Sequence, residues 1–286
     1  MDIFSLENVR VRIKDKMILD LKNRSIHISK GDVIGIIGEN GAGKTTFIRV
    51  LLDLIKFEGK VERNISFQSI GVQMQKNGFS GLIKVYELIS FICNSSIKDK
   101  QLTEKMRDFQ IDHLLNKRVE SLSGGELQRL TLFLVMYHDP DVLIFDEITT
   151  GLDYQTRKSV LNYLKKIINN KTVLMVTHYY EEIEKLANKL LILHQGRLLD
   201  YGFIDSLFEK YEIFSTFTLK KDDFSLLEET TDKGYAFEDK VVVINRSKKE
   251  EDKRLQIIQK SNCTYDYKKK DFYSLYKKII EQKGVI

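Results

Sequence analysis

The chain has 286 residues, 42% hydrophobic and 30% charged, with a net charge of +5 and one proline. That length buries one good core plus a small appendage, and no apolar run approaches the ~20 residues that span a bilayer. Cys93 and Cys263 lie far apart without a metal or redox motif, and lysines such as Lys268-Lys269-Lys270 read as solvated surface, so no nucleic acid is expected as a partner.

In chain order, Met1 to Glu7 carries an early acid and lacks a signal peptide's basic-then-apolar plan, which points to a cytoplasmic protein. Ile3 to Ile28 reads as β-rich, with alternation through Val9-Arg10-Val11-Arg12-Ile13. Val33 to Ile37 is an apolar run of buried-strand type, and Lys44 to Leu52 reads as a helix. Between them Gly38 to Thr46 reads GENGAGKTT. Gly38, Gly41 and Gly43 let the backbone wrap phosphate oxygens, with Asn40, Ala42 and Thr46 completing the loop. The amides and dipole at the helix start favour their charge. Lys44 would reach the β- and γ-phosphates of a nucleoside triphosphate, and the Thr45 hydroxyl would ligate Mg²⁺. A chance match to this pattern has odds of roughly one per cent in a chain of average composition.

Ile70 to Gln75 is a second short apolar segment, and residues from 76 to about 138 read as a helical insertion. Its first part, Phe79 to Phe91, is rich in apolar side chains that could serve a core or an interface. Leu122 to Arg129 reads LSGGELQR: Ser123, Gly124 and Gly125 head a helix and form a second phosphate-type surface. Two such surfaces on one small chain imply two copies closing over shared nucleotide. Asp141 to Glu147 is an apolar strand that delivers Asp146 and Glu147 at its C-terminal edge, where α/β sheets bind ligands. Val173 to His178 is another apolar strand, ending in a histidine.

These motifs, in this order, strongly resemble the ATP-binding cassette proteins over about the first 205 residues. The resemblance implies an α/β fold: a RecA-like parallel-sheet ATPase core, an N-terminal antiparallel β subdomain and a helical insertion at about 76–138. It implies ATP and Mg²⁺, with Thr45, Asp146 and Gln75 as metal ligands and Glu147 as general base. Gln75 matches the family's loop glutamine, with Gln73 the competing register; His178 matches the histidine that bonds the γ-phosphate; Asp153, in Thr150-Gly151-Leu152-Asp153, lies on the loop that crosses the dimer seam. Three positions depart from the family pattern: Ile148 stands where proline is usual, Glu126 where glutamine is commonest, and Ile13 where an aromatic stacks on adenine. Phe4 is the alternative base contact.

Residues 206–286 form a separate α+β appendage, with strand-like Glu212–Lys220, helix-like Asp222–Glu229, strands near Tyr235–Phe237 and Lys240–Ile244, and helix-like Lys248–Gln259. Extended Cys263–Tyr267 and helix-like Asp271–Gln282 complete a β-α-β-β-α-β order of ferredoxin-like type. The run His178-Tyr179-Tyr180-Glu181-Glu182 resembles drug and peptide exporters of the ABC-2 type. The implied protein is an exporter motor on the inner face of the membrane, paired with a separate permease and with a second copy or a paralogous ATPase. Two alternatives stay open: a soluble cassette ATPase such as an iron–sulfur assembly type, and a nucleotide switch without hydrolysis.

Overall fold

The computed structural model describes residues 1–75, 81–230, 234–237, 239–261 and 263–284. They divide into two compact units, Met1–Tyr201 and Gly202–Ile286.

The first unit opens with β1 (Asp2–Ile13), β2 (Lys16–Asp20) and β3 (Ser25–Ser29), then β4 (Val33–Ile37), α1 (Lys44–Leu51), β5 (Glu58–Arg63) and β6 (Ile70–Gln73). The helical insertion follows as α2 (Val85–Cys93), α3 (Lys100–Asp108) and α4 (Gly124–Met136). The core resumes with β7 (Val142–Asp146), α5 (Tyr154–Ile167), β8 (Thr172–Val176), α6 (Tyr180–Leu186), β9 (Lys189–His194) and β10 (Arg197–Phe203).

Among the described residues these strands make a ten-stranded sheet in the order β3-β1-β2-β10-β9-β4-β8-β7-β6, with β5 added on β1. β4 runs parallel to both β8 and β9, and β6, β7 and β8 are parallel neighbours. Every residue of β7 and β8 is buried, the signature of parallel strands covered on both faces. At the N-terminal end β1 pairs antiparallel with β2, β3 and β5. The main apolar cluster joins that antiparallel part to α1 and the parallel strands, with Phe4, Leu6, Val9, Phe47 and Ile144 among its members.

The register levels the strand ends: Gln73 stands opposite Phe145, Asp146 opposite Val176, and Ile36 also opposite Val176. The loops leaving β4, β6, β7 and β8 therefore emerge together at one edge, where open α/β sheets bind ligands. Gly38 is required there. Its φ is 154°, and a Cβ would lie 2.2 Å from the Leu193 carbonyl oxygen, so no side chain fits.

The insertion has its own core, in which Val85, Leu88 and Ile89 meet Leu102, Met106, Leu130 and Phe133. The apolar stretch noted from Phe79 onward thus splits. Phe79 and Ser80 lie outside the described residues, Val85, Leu88 and Ile89 face inward at helical spacing, and Leu82 and Phe91 are exposed at 68% and 83%. Helix α4 starts at Ser123 with a capping box, as the S-x-x-E pattern of Ser123-Gly124-Gly125-Glu126 directs. Among the described residues no helix is long and apolar enough to cross a membrane.

The second unit contains α7 (Ile204–Lys210), β11 (Ser215–Lys220), β12 (Gly234–Phe237), β13 (Lys240–Asn245), α8 (Lys248–Lys260), β14 (Tyr265–Lys268) and α9 (Phe272–Gln282). Its sheet has the order β12-β13-β11-β14 and is antiparallel throughout. β11 thus sits between the strand before α8 and the strand after it, a split β-α-β arrangement. The first crossover, read from sequence as a helix over Asp222–Glu229, is a 3₁₀ run over Lys221–Thr230. Ser247 caps α8 and Asp271 caps α9, each accepting from an amide three residues on. Arg254 fastens α8 to the sheet by donating to the Ile244 carbonyl at 2.7 Å and to Asn245 Oδ1 at 2.9 Å.

Domain boundaries fall where few contacts cross, and the residues facing the Gly38–Thr46 loop all come from the first unit. Ending the chain after Phe203 should leave nucleotide affinity within about threefold of the full chain, as calorimetry would measure. An insoluble product, or a tenfold weaker one, would make the second unit part of the working core.

Candidate active site

A cavity of about 560 Å³ opens at the edge where the parallel strands end. Asn40, Gly41, Ala42, Gly43, Lys44, Thr45 and Thr46 form one wall, and Gln75, Glu147, Thr150, His178 and Tyr179 face them. Gly43, in left-handed conformation at φ 96°, is the N-cap of α1 and turns the loop into the helix. Lys44 is 6% exposed, and its ammonium donates to the carbonyls of Gly38 at 2.7 Å and Glu39 at 3.1 Å. Burial lowers its pKa, against the pull of Glu147 and Asp146, which raise it.

Thr45 donates its hydroxyl to Asp146 Oδ2 at 2.9 Å, joining the start of α1 to the end of β7. The other oxygen of Asp146, Oδ1, is buried without a hydrogen-bond partner. Burial raises the Asp146 pKa and adjacent Glu147 adds to the rise, while the Thr45 hydroxyl and Lys44 lower it. A buried orphan carboxylate oxygen beside a hydroxyl is a hard-oxygen donor set of the kind that holds Mg²⁺ through few protein ligands and substrate phosphate. The residues present therefore fit that ion.

Glu147 adopts a left-handed backbone, φ 57°, and its amide donates to the Val176 carbonyl at 2.9 Å. That uncommon conformation for a non-glycine residue turns the side chain off the strand. Gln75 Nε2 donates to one Glu147 oxygen at 2.8 Å, and His178 Nε2 lies 2.7 Å from the other. Three loops, after β6, β7 and β8, thus converge on one carboxylate. Gln73, the alternative register, is buried in β6 and does not face the cavity.

The base contact needs correction. Phe4 is fully buried in the main core and cannot meet a nucleotide base. Ile13 lies 46% exposed at the end of β1 and does not line the cavity. Ile18 of β2 does line it. Period-2 alternation could have identified it, because Leu19 takes the buried face and Ile18 must point the other way. Tyr179 was likewise missed; it follows His178 directly.

Ser123, Gly124, Gly125 and Asp153 line a different cavity, of about 680 Å³, between the end of α3, the start of α4 and the first turns of α5. The Ser123 hydroxyl accepts from the Glu126 amide at 3.3 Å, and the Ser123 amide donates to Glu126 Oε2 at 2.9 Å. Lys117 donates to Glu126 Oε1 at 2.8 Å. That ammonium and the Ser123 amide hold the Glu126 carboxyl down at about 2. The acid that replaces the usual glutamine thus fixes the head of α4. Asp153 caps α5, accepting from the amides of Gln155 and Thr156 at 3.0 Å each.

A family model described as ABC transporter matches residues 21–150. The ABC transporter ATP-binding protein NatA of Bacillus subtilis is 30% identical over 224 residues, 70% of this chain and 88% of that one. A methionine import ATP-binding protein, MetN, of Lactobacillus delbrueckii is 30% identical across 73% of this chain and 68% of its own. In structure, the chain is similar to an ATP-binding cassette of an ABC transporter in its ADP conformation, with TM-score 0.60 and 24% identity, covering 71% of this chain and 91% of that one. A glycine-rich loop leading into α1, an acid pair at the end of β7 and a serine-glycine helix start on α4 stand beside relatedness of this extent. The chain belongs to the ATP-binding subunits of ATP-binding cassette (ABC) transporters.

Proposed function

We propose that this subunit hydrolyses ATP as the motor of an ABC exporter, and that it works as a nucleotide-sandwich dimer on a separate membrane permease at the cytoplasmic face. The carrying observation for hydrolysis is the convergence of Gln75 and His178 on Glu147 within the cavity that holds Lys44 and Thr45. Lys44 neutralises β- and γ-phosphate charge, and the amides heading α1 bind the remaining oxygens. Mg²⁺, held by Thr45, Asp146 and Gln75, would neutralise charge building on the β- and γ-phosphates. Glu147 accepts a proton from the water that attacks the γ-phosphorus, and His178 donates to a γ-phosphate oxygen.

The dimer reading rests on separation. Ser123, Gly124, Gly125 and Asp153 face a cavity other than the one lined by Lys44, so within one chain they cannot serve its nucleotide. A second copy, or a paralogous cassette, presents them to it.

The direction of transport rests on sequence. The run from His178 to Glu182 resembles ABC-2 exporters, and the appended unit of residues 202–286 is small beside the paired regulatory barrels of sugar-importer motors. The relatives include a methionine importer by name, so relatedness alone leaves direction open. The test is to purify the subunit with its permease and place both in inside-out vesicles. With ATP added outside, an exporter accumulates a fluorescent drug or labelled peptide in the lumen. Loss of preloaded substrate on adding ATP would make the complex an importer.

A further inference from the structure

Beside the described site lies a buried carboxyl group that the chemistry above does not use. Glu182, in the first turn of α6, is 1% exposed. The Thr149 hydroxyl donates to its Oε1, and the Thr177 hydroxyl is a second partner. Both threonines are themselves buried, at 1% and 3% exposure. Thr149 lies two residues after Glu147, and Thr177 immediately precedes His178. One carboxyl group therefore holds the loop after β7 to the loop after β8.

The surroundings make this a deliberate contact. A carboxyl group removed from water is costly without partners, and an apolar residue would fill the space more cheaply. Arg157 of α5 provides compensating charge, and its guanidinium stacks 3.5 Å from the centre of the Tyr179 ring. The Thr177 oxygen also accepts from the Tyr179 amide at 2.9 Å, and the Glu182 amide donates to the Tyr179 carbonyl at 3.1 Å. The turn bearing His178 is thereby bonded to Glu182 from both ends. Next to it Ile148 sits in an apolar cluster with Leu143 and Leu161, so the Glu147 loop is gripped at Ile148 as well as at Thr149.

We propose that Glu182 is a positioning residue for ATP hydrolysis: by joining Thr149 to Thr177 it sets the distance between Glu147 and His178. The proposal rests on the reading of Glu147 as general base. Glu182 is not among the residues that line the cavity of the Gly38–Thr46 loop, so its removal acts on turnover and spares binding. A general base displaced by ~1 Å can lose about a hundredfold in rate.

The experiment uses the full-length chain, with ATP affinity measured by calorimetry and kcat by phosphate release at saturating ATP. Glu182→Ala and Thr149→Val should each lower kcat by about 10–100-fold while Kd stays within about threefold. Thr149→Val keeps the shape and removes only the hydroxyl, so it serves if Glu182→Ala folds poorly. Thr149→Ser, which restores the hydroxyl, should recover turnover to within about threefold of wild type. The double variant Glu182→Ala/Thr149→Val should be no slower than its slower parent, because both remove one linkage. Wild-type kcat in Thr149→Val, fully additive losses, or Kd weakening in step with kcat would overturn the proposal. Glu147→Gln runs alongside. If it hydrolyses normally, the base assignment fails and the proposal with it; if it is dead while Thr149→Val is normal, only the linkage fails.

Discussion

Glu147→Gln should slow hydrolysis by about 10²–10⁴-fold, the usual contribution of a positioned general base, and should leave ATP bound long enough to hold two copies together. The amide keeps the size of the side chain and can still accept from Gln75, so the convergence of loops around position 147 survives. It cannot take a proton, and it no longer repels the γ-phosphate. Size exclusion with light scattering, with and without ATP and Mg²⁺, reads the consequence directly: a dimer with both and a monomer otherwise. Ser123→Arg on the same chain should abolish that dimer while each monomer still binds ATP, because position 123 lines a cavity other than the one lined by Lys44. An ATP-loaded Glu147→Gln protein that remains monomeric at high concentration would indicate an obligate partner cassette from another gene. Normal hydrolysis by Glu147→Gln would show that the base lies elsewhere.

What was legible in the sequence follows from which physical signals are local. β4, β7 and β8 are continuous apolar runs because parallel strands are covered on both faces, and a run of that kind needs no partner to be recognised. The glycine-rich loop before α1 and the capping box at Ser123 are likewise short motifs whose geometry is set by their own residues. β5 reads as Glu58-Gly59-Lys60-Val61-Glu62-Arg63, mostly polar and exposed, and its strand state comes from pairing with β1. Nothing in its own composition announces that. The 3₁₀ run at Lys221–Thr230 has helix-like spacing, and spacing alone does not separate three residues per turn from 3.6.

The site divides in the same way. Lys44, Thr45, Asp146 and Glu147 sit in motifs that can be recognised one by one. Gln73 and Gln75 would share a face in a continued strand, so that Gln75 and not Gln73 reaches Glu147 follows from β6 ending at Gln73, which leaves Gln75 on the loop. Phe4 was a plausible stacking residue as an aromatic near the N-terminus, but its place in β1 turns it into the core. The contact of Glu182 with Thr149 spans 33 residues of sequence, and only folding brings them together.

Lys44→Ala should weaken ATP binding by one to two decades, since a hydrogen bond to a charged group contributes about 1.5–3 kcal/mol, and it should abolish turnover. The fold should survive, because the carbonyls of Gly38 and Glu39 that accept from the ammonium lie beside a water-accessible cavity and can be solvated. The sign of the electrostatics supports a charged lysine in the complex. Burial lowers its pKa, yet Asp146 and Glu147 already oppose that shift, and the added negative charge of a triphosphate pushes further toward the ammonium form. If the ammonium reaches the β- and γ-groups as proposed, the loss should grow with the number of phosphates. Calorimetry with ATP, ADP and AMP on wild type and Lys44→Ala checks this: the affinity ratio should be large for ATP, smaller for ADP and near unity for AMP. Equal losses for all three would mean that the substitution had disturbed the loop as a whole. Equal ATP affinity in the two proteins would remove Lys44 from the binding site altogether.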